Sequence, residues 1–193
     1  MPDKKTLNDF IHETNLAYEQ FCIWMYLNNG FAKHRKELLL SWNKNCKYKN
    51  FWNVVLFSLL CRWILSLARL FDPAYHPCDK KKKHPRLSLY YILELLDDAS
   101  LAKSIQDKFQ KDIKTLGSIK KQRDNFIVHN DVNFKGKKLK AGAENLFESL
   151  DNAISEIKQN KKHLVDCNDV NLKHAEDSSR CGVDEVFKTL LRG

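Results

Sequence analysis

Between Arg123 and Asp131 the chain reads Arg-Asp-Asn-Phe-Ile-Val-His-Asn-Asp, a cluster of charged and amide side chains around a short apolar run. A guanidinium stays charged at any physiological pH and binds a phosphate through two parallel hydrogen bonds. An imidazole titrates near neutral pH and serves as proton acceptor or donor, and a neighbouring cation favours its neutral, accepting form. Arg123 is therefore the candidate for stabilising a phosphate, and His129 the candidate for moving a proton. Asp124 is placed to orient either of them.

The element that must carry this cluster is a helix. Ile105, Phe109, Ile113, Leu116 and Ile119 recur at steps of three and four, the apolar stripe of an amphipathic helix packed on a core. If the helix continues, Arg123 and His129 differ by about 120° in azimuth and about 9 Å in rise, a gap that the long arginine side chain closes. Asn125 and Asn130 flank them. The competing reading is structural: an arginine paired with Asp124 or Glu94, and a histidine capping the helix end.

Spacing alone is weak, because seven Arg and seven His in 193 residues produce about one such pair by chance. Arg69 and His76 form another, but Pro73 and Pro77 keep those two off one regular helix. The pattern at Arg123 to Asp131 resembles the HEPN superfamily, in its abortive-infection-like branch: Arg, a polar residue, a short apolar run, His, then Asp. Two further passages, Ser66 to Asp72 closing a long apolar helix and Leu87-Ser88-Leu89-Tyr90 after a Pro-rich loop, resemble that branch's middle section. The likeness runs from about residue 10 to 160.

The resemblance implies a HEPN-like four-helix bundle, frequently a homodimer, in which the Arg and His of two copies meet in one cleft and cut RNA without a metal or other cofactor. Cleavage of that kind needs a base for the 2′-hydroxyl, positive charge on the phosphate and an acid for the 5′-oxygen. Arg123 and His129 would carry it with Asp124 in support. Lys120, Lys121, Asn125, Asn130, Lys137 and Lys138 would hold the RNA backbone, joined by Lys140 and the Lys80 to Lys83 run. A toxin or abortive-infection effector of this type implies an antitoxin or a sensor protein as partner. The chain departs from many toxins of the superfamily in having Asp131 where they carry a tyrosine two residues after the histidine, which sets aside control by modification there. The alternative is a non-catalytic HEPN-like module that binds RNA, a nucleotide or a protein. DNA binding finds no helix-turn-helix spacing to support it.

Composition bounds these readings. The formal charge of +9 favours an anionic partner such as RNA, although it also serves solubility. Six cysteines without a CxxC, and no signal-peptide pattern at Met1 to Phe10, predict reduced thiols and a cytoplasmic location. His163 with Cys167, and His76 with Cys78, are the metal-ligand spacings present, and neither belongs to a tetrahedral set. The apolar run Val54 to Phe71 is interrupted by Arg62 and Arg69, which favours a buried helix over a membrane span.

Along the chain, Thr6 is the expected N-cap of a first helix that ends at Asn28-Asn29-Gly30. A second helix is expected from Phe31 to about Trp42, with Asn43 to Asn50 either its continuation or a connection. A helix apolar on more than one face spans Phe51 to Phe71, stopped by Asp72-Pro73, and the loop through Arg86 should be exposed and mobile. Ser88 caps a short helix reaching Leu96, and Asp98 or Ser100 starts the long one, which Gly117 would weaken or bend. A final helix carries Ala143, Leu146, Phe147, Leu150, Ala153, Ile154, Ile157 and Leu164. The expected product is an all-α, up-and-down bundle with additional helices over residues 1–165, followed by a loose polar tail, 166–193, with a possible short helix near Val183 to Leu191.

Overall fold

The first helix is capped by Asp3, not Thr6: the Asp3 Oδ1 accepts the Thr6 backbone N–H at 2.6 Å, which satisfies one of the donors left open at a helix start. The computed structural model describes residues 2–42, 46–79, 81–124 and 137–192, with side chains for all of these except 31–42, 46–51, 53, 113, 137–141 and 190–192. Seven α-helices lie among them: α1 (Lys4–Trp42), α2 (Cys46–Leu70), α3 (Leu89–Glu94), α4 (Ala99–Lys108), α5 (Ile113–Gln122), α6 (Lys137–Asn160) and α7 (Leu172–Arg192). The described residues contain no strand, only an isolated antiparallel bridge between Tyr75 and Pro85. The all-α expectation holds at that level.

Two compact units divide the chain, one from Met1–Asn15 with Ile64–Val170, the other from Leu16–Trp63 with Asn171–Gly193. The second contains most of α1, the first part of α2 and α7. Here α1 runs straight through Asn28-Asn29-Gly30, where the sequence suggested a stop. Gly30 serves a different purpose: a Cβ there would sit 2.3 Å from Cε2 of Phe187, so the missing side chain makes room for the ring. Leu27, Val183 and Phe187 are the buried centre, with Trp52, Val55, Leu56 and Leu59 packed against them. Because those α2 residues fall on one helical face, Val54 and Phe57 turn outward and are exposed, so this part of α2 is not enclosed on all sides.

The expected short helix near Val183 is instead the 21-residue α7. Its polar composition hides a stripe, Ala175, Ser179, Val183 and Phe187 at steps of four, of which the last three are buried. Residues 166–170 of the first unit are also held: the Asn168 N–H donates to Asn8 Oδ1 at 2.9 Å, and Lys158 Nζ donates to the Cys167 carbonyl at 2.7 Å.

In the first unit the core is built from Phe10, Ile64, Leu67, Phe71, Leu89, Ile92, Ile105, Ile119 and the α6 stripe from Ala143 to Ile157. Ser88 caps α3, accepting the Tyr91 N–H at 3.3 Å. Asp98 caps α4, accepting the Ser100 and Leu101 N–H groups at 3.0 Å. The long helix expected from there to Arg123 is broken, and not at Gly117: a 3₁₀ turn at Phe109–Asp112 separates α4 from α5. Residues three apart eclipse in a 3₁₀ turn, which buries Phe109 and Asp112 together. Phe109 meets Phe71 edge to face at 5.4 Å, and Asp112 accepts the Ser149 hydroxyl at 3.0 Å. Leu164, expected on α6, belongs to a separate 3₁₀ turn, Lys162–Leu164.

Candidate functional site

Arg123 follows the last residue of α5, where the chain passes into a wider π-type turn over Arg123 and Asp124. Its Nη1 donates to Asp72 Oδ1 at 2.9 Å and its Nε to Asp124 Oδ1 at 2.8 Å. The two carboxylates differ in character. The Asp72 side chain is 13% exposed and Asp124 61% exposed, so Asp72 is the fixed partner and Asp124 the one that solvent screens. The Asp124 hydrogen bond, with Asp72 behind it, holds the guanidinium above its usual pKa.

Asp72 is the second residue beyond α2, set there by helix termination ahead of Pro73. Its other oxygen, Oδ2, lies 3.5 Å from Nη1 of Arg86. Arg86 is in turn fixed by the backbone: its N–H donates to the Ala74 carbonyl at 2.7 Å, next to the Tyr75–Pro85 bridge. The loop expected to be exposed and mobile is thus exposed toward its tip and closed at its base. Within it the Cys78 N–H donates to Nδ1 of His76 at 3.1 Å, and Asp79 Oδ2 accepts the His84 N–H at 2.8 Å. A neutral His76 ring in that arrangement carries its proton on Nε2.

These groups line one open cleft of about 750 Å³, within the range that holds nucleotide-sized ligands. Arg69, Arg86, Lys120 and Arg123 face it against the carboxylates Asp72 and Asp124, four cations to two anions, with His76 on the same wall and Pro73, Pro77 and Pro85 stiffening the lining. Arg69 and His76, which cannot share a helix, reach the cleft from the last turn of α2 and from the loop. Lys120 also binds the backbone at the first residue beyond α2. Its Nζ donates to the Phe71 carbonyl at 2.8 Å, closing the C-terminal end of that helix, and burial lowers its pKa.

Of the residues singled out from sequence, Arg123, Asp124 and Lys120 come together in the cleft, while Lys121 is exposed and outside its lining. His129, Asn125 and Asn130 lie outside the described residues. Lys137 and Lys138 begin α6, with their side chains likewise outside those described. Arg69, Asp72, His76 and Arg86 were not expected as site residues. The signal present in sequence was the Asp72-Pro73 helix stop after Arg69, which places both at one helix end.

Among the described residues no group of three or more His, Cys, Asp and Glu could hold a metal ion, and no helix is long and apolar enough to cross a membrane. No family model, curated protein or solved structure matches the chain.

Proposed function

We propose that this chain is a metal-independent endoribonuclease of the HEPN type, acting in the cytoplasm as a toxin or abortive-infection effector. The observation that carries the reading is the position of Arg123: a fixed guanidinium on the wall of an open cleft whose cations outnumber its carboxylates. A phosphodiester entering the cleft would displace the exposed Asp124 carboxylate more readily than Asp72, and gain the charge-assisted bonds that Asp124 gives up.

In the proposed reaction His129 removes the 2′-hydroxyl proton and the 2′-oxygen attacks phosphorus. Arg123 balances the charge on the equatorial oxygens, and the bond to the 5′-oxygen breaks as that oxygen takes up a proton. The products are a 2′,3′-cyclic phosphate and a 5′-hydroxyl. A homodimer that brings two copies of the motif into one four-helix-bundle interface would supply the second histidine as acid, and an antitoxin or sensor would hold the enzyme in check. His129 enters on its sequence spacing and Arg123 on its geometry.

The second reading, an RNA- or nucleotide-binding module without cleavage, is favoured by the two ion pairs of Arg123, which a purely structural arginine would also make. The two separate on one assay. Purified protein incubated with RNA in EDTA should release cyclic-phosphate ends, and Arg123→Ala and His129→Ala should abolish them with the helical circular dichroism unchanged. Intact RNA bound by the wild-type chain would leave the binding module as the correct reading.

A further inference from the structure

We propose that Arg69, Arg86 and His76 form a phosphate subsite of their own beside Arg123, so that the cleft takes single-stranded RNA across at least two consecutive phosphates. The identity of the polymer rests on the endoribonuclease reading. The subsite rests on three features of the cleft.

The first is the sharing of Asp72. Its Oδ1 holds Arg123 and its Oδ2 holds Arg86, so one carboxylate stands between the two guanidiniums. With Asp72 in place between them, each guanidinium keeps further N–H donors with which to meet a phosphate on its own side.

The second is Arg69. It is exposed, faces the cleft, and among the described residues has no ion pair or hydrogen-bonding partner for its side chain. Asp72 and Asp124 are committed to Arg123 and Arg86. Arg69 thus leaves a positive charge in the cleft that no carboxylate among the described residues neutralises, beside a histidine whose neutral tautomer presents an Nε2–H donor.

The third is rigidity. Pro73, Pro77 and Pro85, with the Tyr75–Pro85 bridge and the Arg86 to Ala74 hydrogen bond, fix the loop that carries His76 and Arg86. Binding then orders little of the protein. A duplex presents its phosphates on the outside of a stiff cylinder and would meet only the rim, whereas a single strand can lay successive phosphates inside.

The test is fluorescence anisotropy of the full chain with a fluorescein-labelled single-stranded RNA decamer, 2′-O-methylated throughout so that it cannot be cut. Arg69→Ala and Arg86→Ala should each weaken binding about five- to tenfold and flatten the plot of log affinity against log salt by about 0.7. Arg69→Lys should recover most of the loss, and the melting temperature of Arg69→Ala should equal that of the wild type. Unchanged affinity and salt slope in a folded Arg69→Ala would overturn the subsite, as would equal losses with a duplex of the same length. Since the decamer is uncleavable, a wild-type chain that binds it through Arg69 but cuts no RNA discards the nuclease and keeps the subsite. A chain that cuts RNA with Arg69→Ala indifferent discards the subsite alone.

Discussion

Nη1 of Arg123 lies 2.9 Å from Oδ1 of Asp72, joining residues 51 apart in sequence and tying the end of α5 to the residues that follow α2. Both side chains are largely withdrawn from solvent, and Asp72 also faces Arg86. Asp72→Ala takes a carboxylate away from two guanidiniums at once, leaving Arg123 only the exposed Asp124, and should cost about 1–3 kcal/mol, read as a lower denaturant midpoint at constant m-value. Asp72→Asn, which keeps an acceptor without the charge, should lose less.

Lys120 separates a structural from an RNA-holding role. Because its ammonium closes the α2 carbonyl end at Phe71, Lys120→Ala should destabilise the chain by about 1 kcal/mol. It should weaken RNA binding less than Arg69→Ala does. A Lys120→Ala chain with wild-type stability and severely impaired RNA binding would reverse that assignment.

Three glycines with different surroundings should respond with opposite sign. Gly30→Ala drives a methyl group to 2.3 Å from the Phe187 ring and should cost about 1–3 kcal/mol. Gly117 and Gly182 are helical, and a Cβ at either meets nothing within 4 Å, so alanine there should stabilise by about 0.5–1 kcal/mol each. Thermal melts of the three variants decide both signs.

Tyr26 gives the alkaline limit of the second unit. Its hydroxyl donates to Glu176 Oε1 at 2.8 Å, and burial, followed by that carboxylate, raises the phenol from 10.0 to about 12. A raised pKa means that the folded state holds the proton more tightly than the unfolded one. The contribution is complete below pH 10.0 and is lost as pH climbs through about 12. Ultraviolet titration should show one tyrosine ionising late, and Tyr26→Phe should remove both that step and the matching loss of stability between those limits.

Helices and their starts were legible in the amino-acid order wherever the cause was local. Ser88 and Asp98 act as caps because a short polar side chain one turn ahead of apolar residues can reach the open N–H groups. The stripe from Ala143 to Ile157 is buried as its spacing required. Arg123 and Asp124 could be picked out because they are neighbours.

Whatever depended on distant partners was settled by packing instead. Gly30 reads locally as a helix end, yet the approach of Phe187 makes it an interior residue, and the polar C-terminal segment becomes α7 because its sparse apolar residues find α1 and α2. The cleft follows the same rule. Periodicity fixes which face of a helix is apolar, but it carries no information about which two helix ends will meet, so the convergence of Arg69, Asp72 and Arg86 with Arg123 emerged only when the fold brought the ends of α2 and α5 together.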